Sequence, residues 1–293
     1  MSRIAPSVVL GVLLENGRSM SRTRLMKILF LIRQKTSIEK VFAYYDFFPY
    51  KYGPYSFIAD RDIFTMIRVG MLTGNTISIS EDKKKKSKEL YSRITGFLQD
   101  EIRSLILQYR YWTDKMLVDD IYKKYPNYTV LSKRSGKHQK RFIAPTYIYT
   151  IGYEGTSVDS LLKTLIQKGI FNLIDVRNNP FSRRFGFSKK TLYNLCEKVG
   201  INYFHIPELG IPSKERSNLH DFASYQRLLD FYEIEVLPYK KDYLFKVAKL
   251  IEQKSTALLC FEADVRCCHR GRLAKKLATM TALPIHHLEV CND

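Results

Sequence analysis

No apolar run in the chain approaches the roughly 18 residues that would suggest a membrane span, which argues against a helical membrane protein. Neither G-x-G-x-x-G nor G-x-x-x-x-G-K followed by Ser or Thr occurs, so neither a dinucleotide-binding turn nor a P-loop is supported. The first half has no cysteine. Cys196, Cys260, Cys267, Cys268 and Cys291 all lie in the second half. Their number is odd and the neighbours Cys267 and Cys268 are badly placed to bridge each other, so reduced thiols are expected. No C-x2-C pair is matched by a second ligand pair, and the expectation from sequence is no metal and no cofactor. The opening MSRIAPSVVLGVLLENG is apolar but continues as an amphipathic helix without a cleavage site, so the expected location is the cytoplasm.

What the chain has in excess is positive charge. Its 293 residues carry a formal net charge of +19, and 293 residues suffice for two domains with separate cores. Residues 1–145 hold 27 Lys and Arg against 13 Asp and Glu, a surplus of 14, whereas the remainder holds 21 against 16, a surplus of 5. A basic first half suits a polyanion, and the expected partner is nucleic acid, DNA before RNA, with no membrane partner and homo-oligomerisation left open.

Helical spacing covers Ala5 to Glu15, and again Arg22 to Gln34, where Leu25, Ile28, Leu29 and Ile32 share one face behind Ser19 or Ser21 as cap. Tyr44 to Ser56 is broken by Pro and Gly, and Ser56 can start a helix from Phe57 to Gly70. Ile77 to Ser80 alternates like an edge strand after the turn Thr73-Gly74-Asn75. Helix, helix, turn, helix and ribbon is the order of a winged helix. Lys83, Lys84, Lys85, Lys86 and Lys88 follow the ribbon, and Ser132 to Arg141 is a second basic, polar stretch holding Lys133, Arg134 and Lys137. Either could contact phosphates, or could simply be solvated. The segments LMKILFLIRQ, FFPYKYGPYSFIADRDI, VGMLT and IYKKYPNYTVLS resemble YwgA-type proteins and, more distantly, Panacea (SocA-antitoxin) domains. That resemblance implies a winged-helix-like module that binds nucleic acid or protein, and no activity. The expected domains are 1–132, a linker at 133–145, and 146–293.

From Tyr147 strand-like runs alternate with helices: strands at 147–152, 172–176, 202–205, 257–261 and 285–289, and helices at 158–168, 189–199, within 223–253, and at 271–281. The fold class expected is α/β, with a mainly helical first domain and a mainly parallel sheet in the second. Ligands in such sheets sit beyond the carboxyl ends of the strands. Those ends supply Tyr153 and Glu154; Asp175, Arg177 and Asn178 with Arg183 and Phe185 close behind; His205; and Glu262 with Cys267, Cys268, His269 and Arg270 at the opening of a helix. A helix start favours a thiolate or an anion.

YTIGYEGTSVDSLLKTL, LIDVRNNPFSRRFGFSKKTLYNLCEKVGINYFHIPELG and LLCFEADVRCCHRGRLAKKLA resemble domain-of-unknown-function family 488, which implies an α/β fold and no general activity. The loop Ile211 to Asp221 departs from that pattern. Asp175, Glu262, Glu154 and Cys268 are the candidate catalytic residues, with Tyr153, Arg177, Asn178, Arg183, Phe185, His205, His269 and Arg270 as candidate substrate contacts. Arginines suit oxyanions, carboxylates suit glycosidic cleavage, and Tyr153 and Phe185 could stack on an extruded base. Cys268 could be a nucleophile activated by the helix start and the arginines, or a small packing residue with His269 and Arg270 carrying the chemistry, the second being favoured. It is expected to be more reactive than Cys260, which lies within an apolar run and reads as core. The readings this leaves are a base-excising DNA-processing hydrolase, a thiol or sulfur-transfer enzyme at Cys268, and a non-catalytic nucleotide-sensing regulator. If the strand persists, Asp175 and Arg177 are expected on opposite faces and need not pair, and Glu154, Asp175, Arg177, Arg183, His205, Glu262 and Arg270 are expected to converge on one cleft.

Overall fold

Ser21 and Ser56 each accept the amide proton of the residue three positions on, and these two caps set the starts of the helices that organise the first part of the chain. A computed structural model describes residues 4–74, 76–134, 139–216, 219 and 221–290. The chain divides into two compact units, Met1–Lys140 and Arg141–Asp293.

In the first unit α1 (Ala5–Asn16), α2 (Arg22–Lys35), the single turn α3 (Ile38–Val41) and α4 (Phe57–Arg68) follow the spacing of the apolar residues. Met20 pairs with Ile77 and Leu72 with Ile79, so the stretch after α4 forms a narrow ribbon that returns to the start of α2. The aromatic segment expected to be irregular contains a short antiparallel hairpin, β1 (Phe48–Tyr50) and β2 (Gly53–Tyr55). Tyr45, Phe47 and Phe48 from this segment are buried in the unit. Helices α5 (Lys84–Tyr91), α6 (Gly96–Tyr109) and α7 (Asp114–Lys124) complete the unit. Among the described residues no helix is long and apolar enough to cross a membrane.

The second unit is an α/β domain. Its strands are β3 (Ile148–Gly152), β4 (Asn172–Asp175), β5 (Asn202–His205), β6 (Thr256–Cys260) and β7 (Ile285–Leu288). They are joined by α8 (Val158–Gln167), α9 (Lys189–Lys198), α10 (Phe222–Phe231), α11 (Lys241–Gln253) and α12 (His269–Thr281). The sheet order is β5-β4-β6-β3-β7 and every pairing is parallel. Every residue of β3, β4 and β6 is buried, as strands covered on both faces require, and Asp175 at the end of β4 is the one charged residue among them. The long helical region after Ala223 is interrupted between Tyr232 and Lys240, where Pro238 removes a backbone donor.

This order fixes where a site can form. From β4 the chain moves outward to β5, and from β6 it moves the other way to β7, so a crevice opens between the carboxyl ends of these neighbours. Register brings the ends level: Asp175 lies opposite His205 and Leu259, and Gly152 lies opposite Cys260.

Candidate active site at the strand ends

Two polar clusters occupy this edge. At the end of β4 the chain curls back, and Arg177 grips Asp175 with two parallel contacts, Nε to Oδ1 at 2.8 Å and Nη2 to Oδ2 at 2.5 Å. The backbone N–H of Arg177 donates to the same carboxylate at 3.1 Å, and the Tyr203 hydroxyl donates to Oδ2 at 2.6 Å. The remaining guanidinium donors reach the Tyr153 hydroxyl at 2.6 Å and the Phe187 carbonyl at 2.9 Å. Asp175 is fully buried and Arg177 is 5% exposed. Tyr153 is stacked on Phe187, with ring centroids 4.1 Å apart. Burial, followed by the Asp175 charge and its hydrogen bond, holds the Tyr203 phenol above its ordinary pKa.

At the end of β6 the chemistry is different. Cys260 and Glu262 lie two residues apart, the spacing that aims strand side chains to one side. Cys260 Sγ is 3.2 Å from Glu262 Oε2 and 3.6 Å from His269 Nδ1. His269, the first residue of α12, directs Nε2 at the Val176 carbonyl at 3.2 Å. That nitrogen must carry a proton, which leaves Nδ1 for other partners. Arg216 approaches from outside, 3.1 Å from Glu262 Oε1 and 3.4 Å from His269 Nδ1. Cys268 occupies the position just before α12, makes no side-chain capping bond there, and is buried. Tyr232 packs edge-on against the imidazole at 5.5 Å, its own hydroxyl held by the Leu209 carbonyl.

Burial works against a thiolate at Cys260. The Cys268 hydrogen bond, His269 and Arg216 outweigh it and draw this thiol well below the ordinary cysteine range. Burial and the neighbouring sulfur push Cys268 upward. Burial disfavours an imidazolium at His269, but the Cys260 charge raises the ring above its usual value. Burial and the same charge raise Glu262.

Arg270 works beneath the loop. Its guanidinium donates to the Glu262 carbonyl and, at 2.8 Å, to the Ala263 carbonyl, and it is 2% exposed. Glu154 Oε2 accepts the Ala263 N–H at 3.0 Å. Gly152 is required where it stands, because a Cβ there would run into the Glu262 carbonyl.

The sequence-derived candidates therefore separate into groups. Asp175 and Arg177 pair with each other, because residues two apart on an extended chain share a side, which corrects the expectation of opposite faces. Tyr153 is spent on Phe187 and Arg177 instead of standing open to a base. Arg270 holds two carbonyls and has no solvent-facing guanidinium. His205 donates from Nε2 to the Arg177 carbonyl (2.9 Å) and lines an open cleft of about 460 Å³ with Lys189, Lys190, Tyr193 and Tyr203. Cys268 borders a different cleft, of about 310 Å³, between α10 and the start of α12. Asn178 is tied to the Pro207 carbonyl at 3.2 Å, Arg183 is exposed, and Phe185 is half-buried. Glu262, His269 and Cys268 do come together.

Two members of that group were not among the candidates. Cys260 was hidden by its apolar neighbours, although the Cys260-Phe261-Glu262 spacing placed it beside an acid. Arg216 comes from a loop with no motif. In the first unit Lys83 and Lys84 bond to Asp82 and Glu81, and Arg134 to Asp119, whereas Lys85, Lys86, Lys88 and Lys133 are exposed. Lys137 lies outside the described residues. Cys196, Cys260, Cys267 and Cys268 are all free thiols.

Residues 157–277 match the family described as Domain of unknown function DUF488, a match that spans α8 to most of α12 and includes both clusters apart from Gly152, Tyr153 and Glu154. No curated protein and no solved structure matches the chain. The YwgA-type resemblance of the first half rests on its sequence segments alone.

Proposed function

We propose that the chain is a cytoplasmic nucleic-acid-processing hydrolase, acting on DNA before RNA, with its chemistry at the β6 end and the basic first unit as the polyanion-binding part. The observation that carries this reading is the setting of Glu262. Its side chain is 16% exposed, hydrogen-bonded to Arg216, and beside the buried Cys260 and His269 at the crevice of a parallel sheet. A carboxylate so placed can activate water or steady positive charge on an anomeric carbon, while a guanidinium contacts a phosphate. Base excision is the finer form of the proposal, with Glu262 taking the role expected of Asp175, whose carboxylate is committed to Arg177. Glu154, tied to the next residue along the same loop, is the second carboxylate at hand. In the first unit the exposed Lys85, Lys86 and Lys88 on α5 are the proposed phosphate contacts.

The test is to incubate the full chain with single- and double-stranded oligonucleotides and to identify released bases by mass spectrometry. Wild type should release product and Glu262→Gln should not, while both retard DNA in a manner that weakens steeply between about 50 and 200 mM salt. Intact oligonucleotides with wild type, under conditions where DNA is bound, would overturn the hydrolase reading. A second reading, thiol or sulfur transfer, is favoured by the contact between Cys260 Sγ and His269 Nδ1. Under it Cys260→Ser loses turnover and Glu262→Gln keeps it.

A further inference from the structure

Two thiols and an imidazole meet in the interior of the second unit. Cys260 Sγ, Cys268 Sγ and a His269 ring nitrogen lie within 4.8 Å of one another, and each of the three residues is at most 1% exposed. Packing alone does not call for this set, since a thiol and a ring nitrogen in a core could be replaced by aliphatic side chains of similar volume. The spacing suits an ion. Ligands of a tetrahedral zinc ion sit about 2.3 Å (S) and about 2.0 Å (N) from the metal, which separates sulfur from nitrogen by roughly 3.5 Å. The Cys260 Sγ to His269 Nδ1 distance is 3.6 Å. The outer groups agree: Nε2 faces the Val176 carbonyl, the contact that fixes the tautomer and aim of a ligating imidazole, and Tyr232 closes the other side of the ring.

We infer that Cys260, Cys268 and His269 form a three-ligand site for a soft divalent cation of the zinc class, with Glu262 as a carboxylate beside the ion and not a ligand to it. Two sulfurs and one nitrogen select zinc-like ions over magnesium or calcium. Three protein ligands leave the fourth position to water, as catalytic sites require. Glu262 lies outside the three-residue group: Arg216 holds its Oε1 at 3.1 Å, and its Oε2 is 3.2 Å from Cys260 Sγ. From there Glu262 would take a proton from the attacking water and return it to the leaving group, so the net change is hydrolysis and no redox partner is needed. A His and two Cys ligands with a separate Glu also match the donor set of hydrolytic zinc sites that act on nucleobases. This inference rests on the β6 end being the functional site, and it names the cation that this site takes.

The experiment uses the full reduced chain, loaded with Zn²⁺ or Co²⁺ alone and then desalted. Metal content should be about one equivalent per chain, and Co²⁺ should give thiolate-to-metal charge-transfer absorption in the near ultraviolet. Cys260→Ser, Cys268→Ser and His269→Ala should each weaken binding at least tenfold, while Cys196→Ser and Glu262→Gln retain the ion and its spectrum. Because a ligand variant could fail to fold, wild type supplies a second readout: Zn²⁺ should slow alkylation of Cys260 and Cys268 and leave that of Cys267 unchanged. No stoichiometric metal together with unaltered alkylation overturns the site, and loss of the ion in Glu262→Gln overturns the three-ligand assignment. These outcomes are separable from the hydrolase reading: turnover abolished by Glu262→Gln in metal-free protein sinks the site alone, whereas bound metal with no reaction on any nucleic acid sinks the hydrolase alone.

Discussion

The ends of β4 and β6 are neighbours in one sheet, and each carries a buried polar cluster, yet the two are built on opposite lines. The β4 cluster is closed. The Asp175 carboxylate receives four hydrogen bonds, and the Arg177 guanidinium spends itself on Asp175, Tyr153 and the Phe187 carbonyl. The β6 cluster is loose. Cys260 Sγ lies 3.2 Å from Glu262 Oε2 and 3.6 Å from His269 Nδ1, the imidazole reaches the Val176 carbonyl, and the acid leans on an arginine whose side chain is 28% exposed. Richness in charge therefore does not mark the working end of a strand. What separates the two is how completely each donor and acceptor is satisfied, because a saturated ion pair has no valence left for a substrate.

The comparison is broken most sharply at Asp175. Removing one partner of a buried ion pair leaves the other charge unpaired, at a cost of about 3–5 kcal/mol. Asp175→Asn should destabilise the second unit by that amount in urea or guanidinium unfolding. If it instead leaves unfolding unchanged and abolishes turnover, Asp175 is a working group and the contrast between the clusters is wrong.

Tyr203→Phe is a gentler probe of the same closure. It deletes one hydrogen bond to a charged acceptor, worth about 1.5–3 kcal/mol at neutral pH. The loss should depend on pH in a set direction. Burial and Asp175 hold this phenol above the ordinary value near 10, so the folded state keeps the proton longer than the unfolded one does. The stabilisation is present below about pH 10 and is lost as pH rises beyond it. Stability curves of wild type and Tyr203→Phe should converge above about pH 10, and curves that stay parallel there would show that the hydroxyl is not tied to Asp175.

Much of this arrangement was legible in the sequence. Alternating apolar runs and capped helices gave the order of elements in the second unit to within a few residues, because strands buried on both faces leave short continuous apolar runs and amphipathic helices leave a period of 3.6. The strand-end rule then named Glu262, Cys268 and His269 correctly as neighbours. It failed where the chain leaves regular structure. The period-2 rule was also misapplied at Asp175 and Arg177, which are two residues apart and therefore share a side of an extended chain. Cys260 looked like core because its neighbours on β6 are, and it is buried as expected. Its side chain, however, faces Glu262 and His269, an adjacency made by the crossover from β6 to α12. Arg216 arrives from a loop whose path depends on tertiary contacts. The helices α5, α6 and α7 were not singled out because charge drew attention to lysines rather than to Tyr91 on α5, Leu98, Ile102 and Leu105 on α6 and Ile121 on α7, the residues by which they are buried.

The smallest expected effect is also the one that sharpens the contrast best. Glu262→Gln removes a charge from the β6 cluster much as Asp175→Asn does from the β4 cluster, but its surroundings forgive the change. The Arg216 to Glu262 pair has side chains 28% and 16% exposed, so the guanidinium left behind can turn to water, and pairs screened by solvent are worth about 0–1 kcal/mol. The raised protonation of Glu262 works the same way: burial and the Cys260 charge already oppose its ionised form, so a neutral amide gives up little. Unfolding of Glu262→Gln at neutral pH should thus fall within about 1 kcal/mol of wild type, while the same protein loses turnover. A destabilisation comparable to that of Asp175→Asn would place Glu262 in a second structural lock, and the loose cluster would lose its claim to be the site of chemistry.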